Sequence, residues 1–192
     1  MNYLVSYNRS GNTWVRYILE YLTHQPTWGH EKFSISERMG QKSNISLLST
    51  EPIIIKRHEI IPNEIKDSDK VVFLLRDYKE CIWNSMDCKW EKFEPEFVKW
   101  WNLVKFFDNF EGEKLLLYYE DLSEYWIHVL LDFLKVDDSG VTEFFENIEY
   151  HREKSFSIYK NTINTRNGEE PTFTEEELSY MKEIYFIFLS VH

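Results

Sequence analysis

Apolar positions along the chain fall into short unbroken runs that alternate with stretches of helical period. Tyr3 to Tyr7 is a largely apolar run of the kind buried on both faces of a parallel sheet. From Thr13 the period changes. Trp14, Tyr17, Ile18, Tyr21 and Leu22 recur at helical spacing and predict a helix to Thr23. Ile53 to Lys56, Lys70 to Leu75 and Lys114 to Tyr118 predict three further strands. Helical spacing predicts helices from the end of the third strand to about Trp90, over Pro95 to Phe110, and over 122–135 and 139–148. Thr174-Glu-Glu-Glu177 is a capping box opening a final amphipathic helix with Leu178, Met181, Ile184, Tyr185 and Phe188. Two stretches carry neither period. His24 to Glu51 reads as a lid or a loosely ordered segment, and Arg152 to Gly168 as irregular chain.

Strands alternating with helices predict an α/β fold, a parallel β-sheet of βαβ units flanked by helices, in one domain spanning residues 1–192. In such sheets ligands bind outside the carboxyl ends of the strands. Chemistry-bearing residues sit at those ends: Arg9 after the first strand, Lys56 and His58 after the second, Arg76 after the third and Tyr119 after the fourth. The topology therefore predicts that they converge on one site.

The first of these ends is the most informative. Asn8-Arg9-Ser10-Gly11-Asn12 joins a strand to a helix N-terminus, where backbone N–H groups lack partners and the helix dipole adds partial positive charge. Gly11 permits close backbone approach and Arg9 supplies a full charge. The loop predicts a phosphate or sulfate cradle. It is not a Walker A loop, because the first glycine and the lysine of G-x-x-x-x-G-K-[ST] are missing.

Composition narrows the ligand. The formal net charge of −11 argues against a general nucleic-acid binder, yet leaves room for a small anion bound by local cations. Apolar residues at 43% and aromatics at 17% provide a substantial core. Cys81 and Cys88, seven apart on one predicted helix, lie roughly 10 Å apart and cannot bridge. With no signal peptide and no apolar run long enough to span a bilayer, a cytoplasmic, reducing setting is expected.

These segments, taken together, resemble the sulfotransferases that use 3′-phosphoadenosine 5′-phosphosulfate (PAPS). Y-N-R-S-G-N-T-W resembles the family's 5′-phosphosulfate loop, I-I-K-R-H-E the segment with the catalytic histidine, and F-L-L-R-D-Y-K-E the 3′-phosphate signature. L-L-Y-Y-E-D-L resembles the Y-E-D strand end, and S-F-S-I-Y-K-N followed by R-N-G the late loop over the 3′-phosphate. All occur in family order up to residue 168. The resemblance implies a P-loop NTPase-like sulfotransferase fold, PAPS as cofactor and PAP as product. Arg9 would touch the 5′-phosphosulfate, with donors from Ser10, Gly11, Asn12 and Thr13, and Trp14 would stack near the adenine. Lys56 would contact the transferring group and His58 would be the general base. Arg76 would bind the 3′-phosphate, Tyr119 and Phe156 would border the adenine, and Arg166, Asn167 and Gly168 would complete the 3′-phosphate grip.

The chain departs from the family in places. Asn8 replaces the usual proline, and R-x-P becomes Arg76-Asp77-Tyr78. Asn84 stands eight residues after Arg76 where a Ser is usual; Asn84 and the adjacent Ser85 are both candidate phosphate donors. The chain is also shorter than the animal cytosolic members, which bears on the acceptor pocket more than on the cofactor site.

Sulfuryl transfer needs in-line placement and stabilisation of spreading negative charge, which Arg9, Lys56 and the loop amides suit. His58 suits the base, with Glu59 as its rival. Arg76 has Asp77 and Glu80 as alternative carboxylate partners, and Glu120 and Asp121 read as caps of the following helix. The expected acceptor is a hydroxyl or amine of a small molecule, lipid or carbohydrate, and no metal ligand cluster is present in the sequence. The alternatives are a non-catalytic PAP- or nucleotide-binding protein of the same fold and a P-loop nucleotide kinase.

Overall fold

The computed structural model describes residues 1–29, 32–39, 45–60, 63–85, 92–157 and 174–190; of Asn84, Phe156, Ser157, Glu177 and residues 184–190 it describes the backbone alone. Five strands are present: β1 (Asn2–Ser6), β2 (Thr27–Trp28), β3 (Ile54–Arg57), β4 (Lys70–Leu75) and β5 (Glu113–Tyr118). They form one all-parallel sheet in the order β2-β3-β1-β4-β5. The helices are α1 (Asn12–Thr23), α2 (Ile35–Met39), α3 (Tyr78–Ser85), α4 (Phe93–Asn109), α5 (Glu124–Leu134), α6 (Val141–Glu146), α7 (Ile148–Ser157) and α8 (Glu175–Ser190).

Strand periodicity divides the core in two. Successive side chains of a strand point to opposite faces. Leu4, Val72, Leu74 and Leu117 face a layer made by α1, α2, α5 and α6, with Ile18, Leu19, Ile35, Leu130 and Phe144. Tyr3, Val5, Val71 and Phe73 face a layer made by α3, α4 and α8, with Ile82, Phe97, Trp100 and Met181. Both faces are covered, which is why these strands read as continuous apolar runs. Fully burying one such Leu, Val or Phe contributes about 1.5–3 kcal/mol.

Three segments differ from the sequence expectation. The first strand ends at Ser6, and Tyr7 already belongs to the loop. The 24–51 segment holds β2 and α2, both pinned to α1 by a buried carboxylate. Glu20 Oε1 accepts hydrogen bonds from Thr27 N at 2.8 Å and Ile35 N at 2.8 Å, and Glu20 Oε2 accepts from Ser36 N at 2.8 Å and Ser36 Oγ at 2.9 Å. Arg16, one turn earlier, donates to Thr27 Oγ1, Thr27 O and Phe33 O. Ser34 and Glu37 close a capping box on α2, Ser34 Oγ accepting from Glu37 N and Ser34 N donating to Glu37 Oε2. Finally, α7 runs to Ser157 where irregular chain is expected from 152. Its buried His151 meets the Tyr17 hydroxyl at 3.0 Å and stacks on Phe144 at 4.2 Å between centroids, and Ser155 one turn on is buried as well, so a polar-looking segment docks through polar side chains.

Cys81 is a free, buried thiol whose pKa is pushed well up by burial, and Cys88 lies outside the described residues. Among the described residues no helix is long and apolar enough to cross a membrane.

Candidate functional site

From β1 the chain proceeds to β2 and β3 on one side of the sheet, and from β4 to β5 on the other. The connections diverge at the carboxyl ends of β1 and β4, the place where open parallel sheets form a ligand crevice. The β1–α1 loop lies there. Arg9 has φ 64° and Gly11 φ 85°, so the chain turns through two left-handed residues before α1 begins. The start of α1 has no side-chain cap and no acidic residue in its first turn, in contrast to the capping box on α2. Trp14 N and Val15 N donate to Gly11 O at 2.9 and 3.2 Å, which leaves the Asn12 and Thr13 amides to an external acceptor.

Two buried polar atoms support the same reading. Ser10 is 1% exposed and Asn12 6%; Asn12 Oδ1 has no hydrogen-bond partner among the described residues, and Ser10 Oγ faces only the weak acceptor of the buried Cys81 thiol. A buried unpartnered polar atom costs about 1–3 kcal/mol. Ser10 Oγ–H is a donor for an anion. Asn12 Nδ2 reaches Ser6 Oγ at 2.7 Å. With the amide reversed, Ser6 would donate to Oδ1 and the NH₂ group would face the opposite way, offering donors instead of an orphaned acceptor.

Above the loop stands a stack of two further strand ends. The Tyr119 ring lies so close to Gly11 that a Cβ there would sit 2.1 Å from Tyr119 Cδ2, so no larger residue fits beneath it. The Arg76 guanidinium lies over the same ring, 4.6 Å from its centroid, and Arg76 Nη1 donates to Arg9 O at 3.0 Å. Glu80 Oε2 accepts from Arg76 Nε at 3.0 Å and Nη2 at 2.6 Å, which selects Glu80 over Asp77 as its partner. Glu120 does not cap the helix that follows it. Its Oε1 accepts from Asp77 N at 3.2 Å, so the β5 end is tied to the start of α3.

On the other side of β1, β3 presents Lys56 and His58. His58 Nδ1 lies 2.7 Å from Ser6 O, and since a carbonyl only accepts, the proton sits on Nδ1 and Nε2 is left as the basic nitrogen. Burial and the Lys56 charge lower His58 to about 4, partly opposed by the Ser6 bond, so the ring is neutral at pH 7. Burial, with the positive fields of Arg16 and Arg38, lowers Lys56 to about 8; it is still mostly a cation at pH 7. Glu59, the rival base, is exposed.

The structure thus brings Arg9, Ser10, Gly11, Asn12, Thr13, Lys56, His58, Arg76 and Tyr119 to one end of the sheet. Trp14 stacks on Tyr17 at 5.8 Å and packs against Phe144 within the core layer, so in this arrangement it is a support of α1. Ser85 ends α3 beside the Tyr7 hydroxyl. The side chains of Asn84 and Phe156, and all of Arg166, Asn167 and Gly168, lie outside the described residues.

Sequence reasoning missed two supports of the site. Ser6 serves both neighbours, its carbonyl orienting His58 and its hydroxyl meeting Asn12. A hydroxyl ending an otherwise apolar strand is the signal that could have found it. Tyr7 donates to Glu96 of α4, and burial and that carboxylate hold its phenol well above the usual range. Among the described residues no group of three or more His, Cys, Asp or Glu side chains could hold a metal ion. No known family profile matches the chain, and no curated protein matches it.

Proposed function

We propose that this protein is a PAPS-dependent sulfotransferase of P-loop-like fold, acting on a hydroxyl or amine acceptor. One observation carries the reading: a neutral histidine of fixed tautomer and a half-buried lysine stand beside a helix N-terminus with no side-chain cap. A site that only held a phosphate would need the cradle and the cation but no oriented base.

The residues present fit the nucleotide. Ser10 Oγ, the first amides of α1, Arg9 and Lys56 would hold the 5′-phosphosulfate, and Gly11 leaves the backbone open to it. Arg76, with Ser85, would hold the 3′-phosphate. When bound, the cofactor supplies an activated sulfuryl group whose leaving group is a phosphate.

The chain's own residues then have defined tasks. His58 Nε2 takes the proton of the acceptor hydroxyl, while the Ser6 carbonyl on Nδ1–H stabilises the ring as it becomes charged. Lys56 and Arg9 offset the negative charge that develops, without reorganising to do so.

The test is calorimetric titration with 3′-phosphoadenosine 5′-phosphate, with ATP and 5′-AMP as controls and Arg76→Ala alongside. Tight binding that needs the 3′-phosphate and is lost in Arg76→Ala is expected. Equal affinity for the three nucleotides would overturn the reading.

A further inference from the structure

Among the described residues, the contacts of the Arg76 guanidinium come from different parts of the chain. Its face rests on the Tyr119 ring, Nη1 is bound to the Arg9 carbonyl, and Nε and Nη2 share Glu80 Oε2. The ring and the carbonyl fix where the guanidinium sits. Glu80 adds something else: a carboxylate on the Nε/Nη2 edge, one of the two edges on which an arginine grips a phosphate.

We propose that Glu80 is an internal occupant of the Arg76 phosphate seat, yielding only to a phosphomonoester and thereby setting which anion the site accepts. The inference rests on the reading of Arg76 as an anion ligand, though not on the identity of the nucleotide. A phosphomonoester carries about −1.5 to −2 charges at neutral pH and three acceptor oxygens. A carboxylate or phosphodiester carries a single charge and has no such advantage over Glu80. An incoming dianion also repels Glu80, and the displaced side chain has a place to go. Glu80 lies in the first turn of α3, where the helix dipole favours an acid, and its side chain is already 35% exposed. Arg76 keeps its ring and its carbonyl throughout, so the seat is vacated without being dismantled.

The experiment compares the full chain with Glu80→Gln, Glu80→Ala and the double variant Arg76→Ala/Glu80→Gln, titrated with 3′-phosphoadenosine 5′-phosphate, 5′-AMP, inorganic phosphate and acetate. Thermal unfolding checks that each variant is folded. Removing the competing charge is expected to tighten the 3′-phosphate nucleotide and inorganic phosphate about tenfold. Acetate, excluded from the wild type, should begin to bind. The double variant should lose the gain. Weaker or unchanged phosphate binding in both single variants would overturn the proposal and make Glu80 a brace for Arg76. An equal gain for inorganic phosphate in the double variant would also overturn it, by showing a general charge effect. Should the wild type fail to prefer the 3′-phosphate nucleotide, the sulfotransferase reading falls while inorganic phosphate and acetate still decide the role of Glu80.

Discussion

Replacing Glu20 by Ala should loosen the β2 edge of the sheet, next to the strand that carries Lys56. Glu20 is fully buried and accepts from three backbone amides, those of Thr27, Ile35 and Ser36, besides the hydroxyls of Thr27 and Ser36. The hydroxyls can turn to other acceptors, but the amides cannot. A buried N–H left without a partner costs about 1–3 kcal/mol, so three of them put the loss at about 3 kcal/mol or more. For a chain of this length that corresponds to a fall in Tm of roughly 6–12 °C, at about 2–4 °C per kcal/mol. Glu20→Gln keeps the shape yet turns an NH₂ group toward one set of donors, and should fall between wild type and Ala. Thermal and urea unfolding followed by circular dichroism measure the loss. Amide exchange locates it, and should show the Thr27, Ile35 and Ser36 amides losing protection first. A Tm for Glu20→Ala within about 2 °C of wild type, with those amides still protected, would refute the reasoning.

Two further outcomes follow from the site. Gly11→Ala adds a Cβ at φ 85° and 2.1 Å from the Tyr119 ring, a strain of about 1–2 kcal/mol before the ring moves; calorimetry should show nucleotide affinity down at least about tenfold, and the added change Tyr119→Ala should restore part of the lost thermal stability. His58→Asn should leave PAP binding intact and lower sulfuryl transfer by about 10²–10⁴. The same variant changes acid stability. In the fold His58 titrates at about 4 against 6.5 in the open chain, so between those pH values the unfolded state takes up a proton that the fold refuses. Stability should therefore fall as pH drops from about 6.5 to 4, by about 3 kcal/mol, and urea midpoints should show that arm flattened in His58→Asn.

Much of the architecture was legible because burial on both faces leaves strands such as Val71–Leu75 with no polar positions to confuse the pattern. The site was legible for the same reason: in a chain of apolar strands, Arg9, His58, Arg76 and Tyr119 mark the strand ends by contrast. What escaped lies where local pattern is overruled by a single buried group. β2 is two residues long, too short to have a period, and exists because Glu20 holds Thr27 beside β3. The charged pair Arg16 and Glu20, one turn apart and the only charged residues of α1, is the signal that a polar segment docks there. The end of α7 escaped because the side chain that anchors it, His151, counts as polar; its pKa is held below the usual histidine range by burial, and the neutral ring packs as an aromatic.

The two margins of the sheet bear on self-association. Runs such as Ile53-Ile-Ile and Val71-Val-Phe-Leu-Leu would template pairing with other chains if they lay at an open margin. Both are interior. One margin is β2, which offers another chain only two residues to pair with. The other, β5, begins with exposed Glu113 and Lys114, and these are engaged: Glu113 pairs with Lys70 at 2.9 Å, and Lys114 Nζ donates to the Phe107 and Asp108 carbonyls at the end of α4. A second copy aligning along β5 would have to break these contacts and bury their charges. The shortness of one border and the charge of the other guard this strongly apolar sheet against fibril-like stacking.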